Sequence, residues 1–121
     1  MQNPFQNMGF FDSFKKNVEL KQPQINANAN QKALETIPKL EKLLEENPER
    51  YDLLYDLYGC YIDLSNTSKK IECLEKMIKL KPRDAFALGQ LAQIFYGELS
   101  DPKKGKYYQD QANKVNSNKF L

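Results

Sequence analysis

The side chains of this chain that could do chemistry are thiols, carboxylates, amines and phenols, because the sequence contains no histidine. Histidine is the commonest general base and the commonest transition-metal ligand. The two cysteines, Cys60 and Cys73, do not form a Cys-X-X-Cys motif and have no histidine to complete a zinc site. Each lies in an apolar helical context, where a free cysteine behaves as a small hydrophobe. We therefore predict no metal site, and reduced thiols that favour a reducing compartment.

Catalysis without histidine would depend on Asp, Glu, Lys, Tyr or Cys alone. No pair of these residues has a spacing that is diagnostic of acid–base or nucleophilic chemistry. The 5 glycines are scattered singly, so no loop is predicted to cradle a phosphate. We predict no catalytic residues and no cofactor, and an enzyme built from these residues is the remote alternative.

The charge balance limits the partners. The chain has 18 basic and 16 acidic residues, and Arg50 and Arg83 are its only arginines. Phosphate-binding domains usually show a basic stripe rich in arginine. The apolar stretches are far shorter than the roughly 20 residues that cross a bilayer, and residues 1–20 resemble neither a secretory signal nor a transit peptide. We expect an intracellular protein, cytoplasmic or mitochondrial, that binds protein rather than nucleic acid and touches membranes only through a partner.

The elements that carry these side chains are predicted to be helices. Apolar residues recur at helical spacing from Lys32 to about Val115, and prolines or small polar residues interrupt the pattern. No window alternates β-branched residues between hairpin turns. With 121 residues the chain has the length of one domain. We expect an all-α fold of five helices, near residues 32–46, 51–64, 67–81, 85–98 and 102–115.

Two N-terminal segments differ in composition from the helical part. Residues 1–21 mix aromatic and polar side chains, and we expect an extended arm there. Residues 22–31 read QPQINANANQ. These small amides and the single proline offer little to bury, so the tract is predicted to be a polar linker. The helical domain then spans 32–117, and 118–121 form a C-terminal tail.

Two segments of the helical domain repeat. LEKLLEENPE and LEKMIKLKPR each end an amphipathic helix at a proline, and Pro48 and Pro82 lie 34 residues apart. A helix–turn–helix unit with this period is typical of the tetratricopeptide repeat (TPR). The chain resembles a short, divergent member of the TPR family with about two and a half repeats. The residues that match the family pattern are Leu54, Leu57, Tyr61, Leu74 and Pro82, then Leu88, Leu91, Ala92, Phe95, Tyr108 and Ala112.

The sequence departs from the family pattern at two positions of the first complete repeat. Tyr58 stands where the family has a small residue after the leucine of the first helix. Lys70 stands where the second helix usually begins with alanine at the close helix crossing. These departures affect the expected packing angles.

The resemblance implies where a partner would bind. In the family, the first helix of each repeat lines a concave groove that takes peptide segments. Chaperone-binding members place lysine and asparagine there to clamp a carboxylate, and this chain lacks that clamp. Glycines leave room in a groove and aromatics supply contact area, although the same aromatics could instead pack in the core. The groove residues implied here are Asp52, Tyr55, Gly59, Ile62, Phe86, Gly89, Gln93 and Tyr96.

The arm carries a candidate docking segment with three phenylalanines in five residues. A helix this short is marginal alone, so it needs a surface. Three surfaces compete: the chain's own groove, a partner protein and, least favoured because the cationic face includes Glu19, a membrane interface. The predicted docking residues are Phe10, Phe11, Phe14 and Val18.

Taken together, these features predict a non-catalytic protein–protein interaction module. The leading hypothesis is a small structural or assembly subunit, a scaffold within a larger complex. A soluble TPR adaptor or chaperone that binds apolar peptide segments in its groove is the alternative. Because stacked repeats usually need three or more copies for stability, we expect the ends of the array to be covered by the arm, a second copy or a partner.

We predict that the purified, tag-free chain binds no divalent transition metal tightly. Soft metal sites are built from clusters of histidine and cysteine, which this sequence does not offer. Elemental analysis after dialysis against Zn²⁺ checks this expectation. One tightly held Zn²⁺ per chain would contradict it.

Overall fold

The computed structural model describes the backbone of residues 9–118 and the side chains of residues 27–117. Within that part the chain is all-α, as predicted, and contains no strand. No helix of the described residues is long and apolar enough to span a membrane. The helices are α1 (Gly9–Glu46), α2 (Tyr51–Asp63), α3 (Thr67–Leu80), α4 (Ala85–Tyr96) and α5 (Pro102–Asn118).

Helix α1 differs from its prediction. It starts at Gly9 rather than near residue 32, and it includes the tract 22–31 for which the sequence predicted a linker after an extended arm. Extending a helix adds one hydrogen bond for each residue fixed, so a packed segment such as 33–44 lets the helix grow at low cost. Alanine and glutamine in the tract also have a high helix propensity, although they offer little apolar surface to bury.

Helices α2 to α5 begin at the predicted residues, and in α3, α4 and α5 a local side chain caps the first turn. Arg50, which precedes α2, makes no side-chain cap. Asn66 accepts a hydrogen bond from the Lys69 backbone N–H at the start of α3. Asp84 caps α4 in the same way, as does Asp101 at α5. A polar oxygen at this position satisfies an N–H group that has no partner within the helix.

The turn between α2 and α3 and the turn between α4 and α5 share a backbone conformation. We call each of these two helix pairs a helical hairpin. Ser65 precedes the cap of α3 and Ser100 precedes the cap of α5, with φ angles of 53° and 47°. These left-handed conformations are unusual for residues other than glycine. The same strained residue before the same kind of cap shows that the two hairpins are built alike.

The packing follows the order of the chain. In the described part, backbone contacts between helices join α1 to α2, α2 to α3, α3 to α4 and α4 to α5. The family-pattern residues of the helices lie in or beside the core. Those that are buried are Leu54, Leu57, Tyr61, Leu74, Leu88, Leu91, Ala92, Phe95 and Ala112.

Lys70 shows how the fold accommodates a charge at a helix crossing. The residue is buried, with 9% of its surface exposed. Its ammonium Nζ lies 2.7 Å from Oε2 of Glu98, and the hydroxyl of Thr67 donates to the other oxygen of the same carboxylate. Lys70 and then Thr67 hold the pKa of the Glu98 carboxyl below its usual value. The lysine therefore joins α3 to the turn that follows α4.

Replacing Glu98 with Gln should lower the free energy of unfolding by about 1–2 kcal/mol at neutral pH, because the buried Lys70 ammonium loses its charged partner. This figure is reduced for the partial exposure of the carboxylate. Because the folded-state pKa of Glu98 is depressed, its contribution is complete above the unfolded pKa and is lost as the pH falls through the folded pKa.

Urea denaturation of the wild type and Glu98→Gln at neutral and acidic pH measures this effect. The difference between the two should shrink in acid. The double variant Lys70→Met/Glu98→Gln should recover most of the loss, since an apolar side chain needs no counter-charge. An equal loss at both pH values would contradict the ion-pair explanation.

Candidate functional site

Helices α2 and α4 present a surface with large exposed apolar side chains. We call it the α2–α4 face. Tyr55, Ile62, Phe86 and Tyr96 expose between 41% and 49% of their surfaces. They are groove residues predicted from the family resemblance, and their exposure argues against core packing of these aromatics. The full face consists of Asp52, Tyr55, Gly59 and Ile62 on α2, and Phe86, Gly89, Gln93 and Tyr96 on α4.

The helical spacing explains why these side chains form two stripes. On each helix the four positions follow one another at intervals of three, four and three residues, which places them on one side. The stripes meet at Tyr55 and Phe86, whose ring centroids lie 5.4 Å apart. Asp52 and Gln93 are exposed, and both glycines are half-buried. The structure thus shows α2 and α4 joined at an aromatic contact on this face.

Two tyrosine hydrogen bonds hold α2 beside α4. The hydroxyl of the buried Tyr58 donates to Oε1 of Gln90 at 2.7 Å. The hydroxyl of Tyr51 donates to Oδ2 of Asp84 at 2.5 Å, and Asp84 also caps α4. Burial first, and then Asp84, raises the pKa of Tyr51. These bonds fix the distance between the two stripes.

The sequence-based prediction missed these supporting residues. Tyr58 was noted only as a departure from the family pattern, and Tyr51 and Gln90 were not singled out. A signal was available, because Tyr51 and Asp84 are 33 residues apart and Tyr58 and Gln90 are 32 apart. Residues about one repeat apart are neighbours when like helices stack side by side.

Glycines leave open space in the α2–α4 face. A Cβ atom added at Gly59 or Gly89 would meet no heavy atom within 4 Å in the described part of the chain. Gly105 of α5 is the opposite case, because an added Cβ would lie 2.7 Å from Cγ of Tyr96. Gly105 therefore lets the Tyr96 ring rest directly on α5. The sequence-based prediction did not include it.

The charged residues that α2 and α4 themselves carry are acidic, and Lys32 of α1 lines the same cleft as Asp56 and Asp63. Helix α2 carries Asp52, Asp56 and Asp63 and no basic residue, while α4 carries no charged residue. Asp52 accepts hydrogen bonds from the guanidinium of Arg50, which lowers the pKa of that carboxyl. An exposed aspartate on this edge, such as Asp56, would attract a positive charge on a partner.

A second cleft lies on the other side of α2, between α1 and α3. Its volume is about 520 Å³, and it is lined by apolar residues such as Leu54 and by charged residues such as Glu41 and Lys69. Cys73 lies in its wall. Burial raises the pKa of the Cys73 thiol to about 11, so this thiol is protonated at neutral pH and is a poor nucleophile.

The second thiol is that of Cys60. Burial, followed by the nearby Asp63 and Asp56, raises the pKa of the Cys60 thiol. The two cysteines are unpaired. Within the residues that the structure describes, no group of three His, Cys, Asp or Glu side chains could hold a metal ion.

The predicted docking residues of the arm fall on α1. Their backbone belongs to the helix that begins at Gly9. The side chains of Phe10, Phe11, Phe14 and Val18 lie outside the described residues.

No model of a protein family matches the chain, and a search of curated proteins finds no match. The role of the α2–α4 face is therefore inferred from the residues of this chain and from their resemblance to the TPR pattern.

Replacing Gly59 or Gly89 with Ala should stabilise the isolated chain. Glycine costs a helix roughly 0.5–1 kcal/mol relative to alanine, and the added methyl group meets no neighbour. We expect each single variant to raise the free energy of unfolding by about this amount, measured by urea denaturation.

The matched control is Gly105→Ala. It gains the same helix propensity but forces a methyl group into the Tyr96 ring, so we expect a net loss of about 1–2 kcal/mol. Stabilisation by Gly105→Ala, or destabilisation by Gly59→Ala, would show that the space around these helices is described wrongly.

Proposed function

We propose that this protein is a non-catalytic protein–protein interaction module of the TPR type, and that it binds its partner through the α2–α4 face. The role that fits best is a small structural or assembly subunit of a larger complex. The observation that carries this proposal is the exposure of Tyr55, Ile62, Phe86 and Tyr96 on one surface of a helical pair.

The TPR assignment is supported by repetition in the structure. The stripe on α4 repeats the stripe on α2 at a distance of 34 residues, from Tyr96 back to Ile62 and from Phe86 back to Asp52. The turns at Ser65 and Ser100 share their backbone conformation. Packing between consecutive helices is also what a helical repeat requires, since each unit buries its apolar face against its neighbours.

The physical chemistry of the α2–α4 face favours binding. Exposed aromatic side chains that are grouped on one surface mark interaction sites more often than chance exposure. Large rigid rings such as Tyr55 and Phe86 bury much area at a low cost in side-chain entropy, and interface energy concentrates in a few residues of this kind. The hydrogen bonds of Tyr51 and Tyr58 hold α2 and α4 in place before a partner arrives, which reduces the entropy lost on binding.

The charges give the partner a preferred chemistry. The α2 edge supplies aspartates without a basic residue, and α4 is uncharged. A segment that combines apolar side chains with lysine or arginine would complement both the apolar stripe and the acidic edge.

A transient adaptor is the second candidate, because the open space at Gly59 and Gly89 would also admit apolar peptide segments of many sequences. The two functions differ in stoichiometry. A subunit occupies its site permanently in a fixed ratio, whereas an adaptor exchanges clients and holds each one in a substoichiometric amount.

Replacing Gly59 with Leu is expected to block the α2–α4 face without unfolding the chain. The new side chain would fill the open space beside the stripes, and leucine is a better helix former than glycine. A tagged chain purified from its native cells should co-elute with one fixed set of proteins, and Gly59→Leu should reduce their recovery at least about tenfold, as expected when the centre of an interface is blocked.

The matched control is Asn113→Leu, which places the same side chain at an exposed position of α5. It should co-elute like the wild type, and circular dichroism should show equal helix content for all three chains. Recovery of the same proteins with Gly59→Leu would disprove the proposed site. Capture of many different proteins in variable ratios would select the adaptor.

A further inference from the structure

The strongest unexplained feature is the pairing of an apolar, acidic face with an apolar, basic segment in one chain. The α2–α4 face carries exposed aromatics beside aspartates. The N-terminal part of α1 reads GFFDSFKKNV, in which three phenylalanines precede Lys15 and Lys16. With Asp12 counted, two bases and one acid leave this segment a net charge of +1. The α2–α4 face and this segment are complementary in charge, and both carry apolar side chains. The course of α1 determines whether the segment can reach the face of its own chain.

The course of α1 decides against contact within one chain. Ala33 is buried against α2, beside Gly59 and Ile62 near the C-terminal end of that helix. Since α1 is continuous from Gly9 to Glu46, its N-terminal part continues past the end of α2. At 1.5 Å per residue, Phe14 lies about 29 Å along the helix from Ala33. A proline such as Pro23 bends a helix but does not reverse it.

The exposure of α1 agrees with this course. Ala27, Asn28, Gln31 and Lys32 are exposed, Ala29 and Asn30 are half-buried, and Ala33 is the first buried residue among the described side chains. The packed part of α1 thus begins at about Ala33, and the chain's own α2–α4 face lies beside that packed part. A segment such as 10–18 can reach an α2–α4 face without breaking its helix only if that face belongs to another molecule.

Resting on the proposed function of the α2–α4 face, we propose that its occupant is the segment Phe10–Val18 of a second copy of this chain. Phe10, Phe11, Phe14 and Val18 pack against the exposed stripe, and the spaces at Gly59 and Gly89 receive their rings. Lys15 and Lys16 lie close to the acidic edge formed by Asp56 and Asp63. The association would be a helix laid on two helices, which is a common way to recognise an amphipathic segment.

Sedimentation of the full-length chain over a range of concentrations tests this proposal. The wild type should associate reversibly. The arm variant Phe10→Ser/Phe11→Ser/Phe14→Ser and the face variant Gly59→Leu should each raise the dissociation constant more than about tenfold, because aromatic anchors carry most of the energy of such interfaces. Asn113→Leu is the control and should associate like the wild type.

Mixing the two defective variants is the decisive step. The arm variant keeps an intact face and Gly59→Leu keeps an intact arm, so an equimolar mixture should form heterodimers although each variant alone is monomeric.

A second pair of variants changes only charged residues and leaves the apolar residues untouched. Lys15→Glu/Lys16→Glu and Asp56→Lys should each weaken association, and their mixture should recover it because the charges again oppose each other.

The proposal is overturned if the wild type stays monomeric at every concentration, if either variant associates like the wild type, or if the mixtures do not recover association. A monomeric wild type whose arm variant has a lower urea midpoint would place the arm on its own chain, and this also overturns the proposal. A monomeric wild type whose Gly59→Leu variant loses its native partners would overturn the second copy as the occupant and leave the proposed function standing, so the two failures are distinguishable.

Discussion

The arrangement of the helices depends on the apolar layer between the two helical hairpins. Leu74 and Met77 of α3 and Leu91 of α4 are its largest fully buried side chains among the described residues. Truncating a buried leucine or methionine to alanine typically costs about 2–5 kcal/mol, a large part of the stability of a small domain. Because α3 lies between α2 and α4 in the packing order, this layer also sets the separation of the helices that carry the exposed stripes.

Polar contacts across the apolar layer also hold the two helical hairpins together. The Tyr58 hydroxyl and the Lys70 ammonium both link one hairpin to the next, and each replaces a small residue of the family pattern with a long one. A long polar side chain at a helix crossing is tolerated when its charged or polar end finds a partner beyond the crossing. Tyr58 and Lys70 are therefore part of the contact between the two helical hairpins.

The sequence allows part of this structure to be predicted, for identifiable reasons. The starts of α3 to α5 follow from residues such as Asn66 and Asp84, whose cap chemistry is local. The exposed stripe follows from helical spacing together with the family resemblance. The extent of α1 does not follow, because growth of a helix from a packed segment depends on tertiary contacts at residues such as Ala33. Gly105 was missed since its neighbour Tyr96 belongs to another helix.

Because α1 is continuous, the number of residues before Ala33 determines the direction in which the N-terminal segment of the helix points. Each residue inserted before Ala33 moves the N-terminal segment by about 1.5 Å and also rotates it by about 100° around the helix axis. A flexible tether would absorb such changes in length. Here an insertion of one or two residues turns the phenylalanines away from their original direction, whereas an insertion of seven nearly restores it. The number of residues in the helix therefore sets the direction of its N-terminal segment as well as its distance from Ala33.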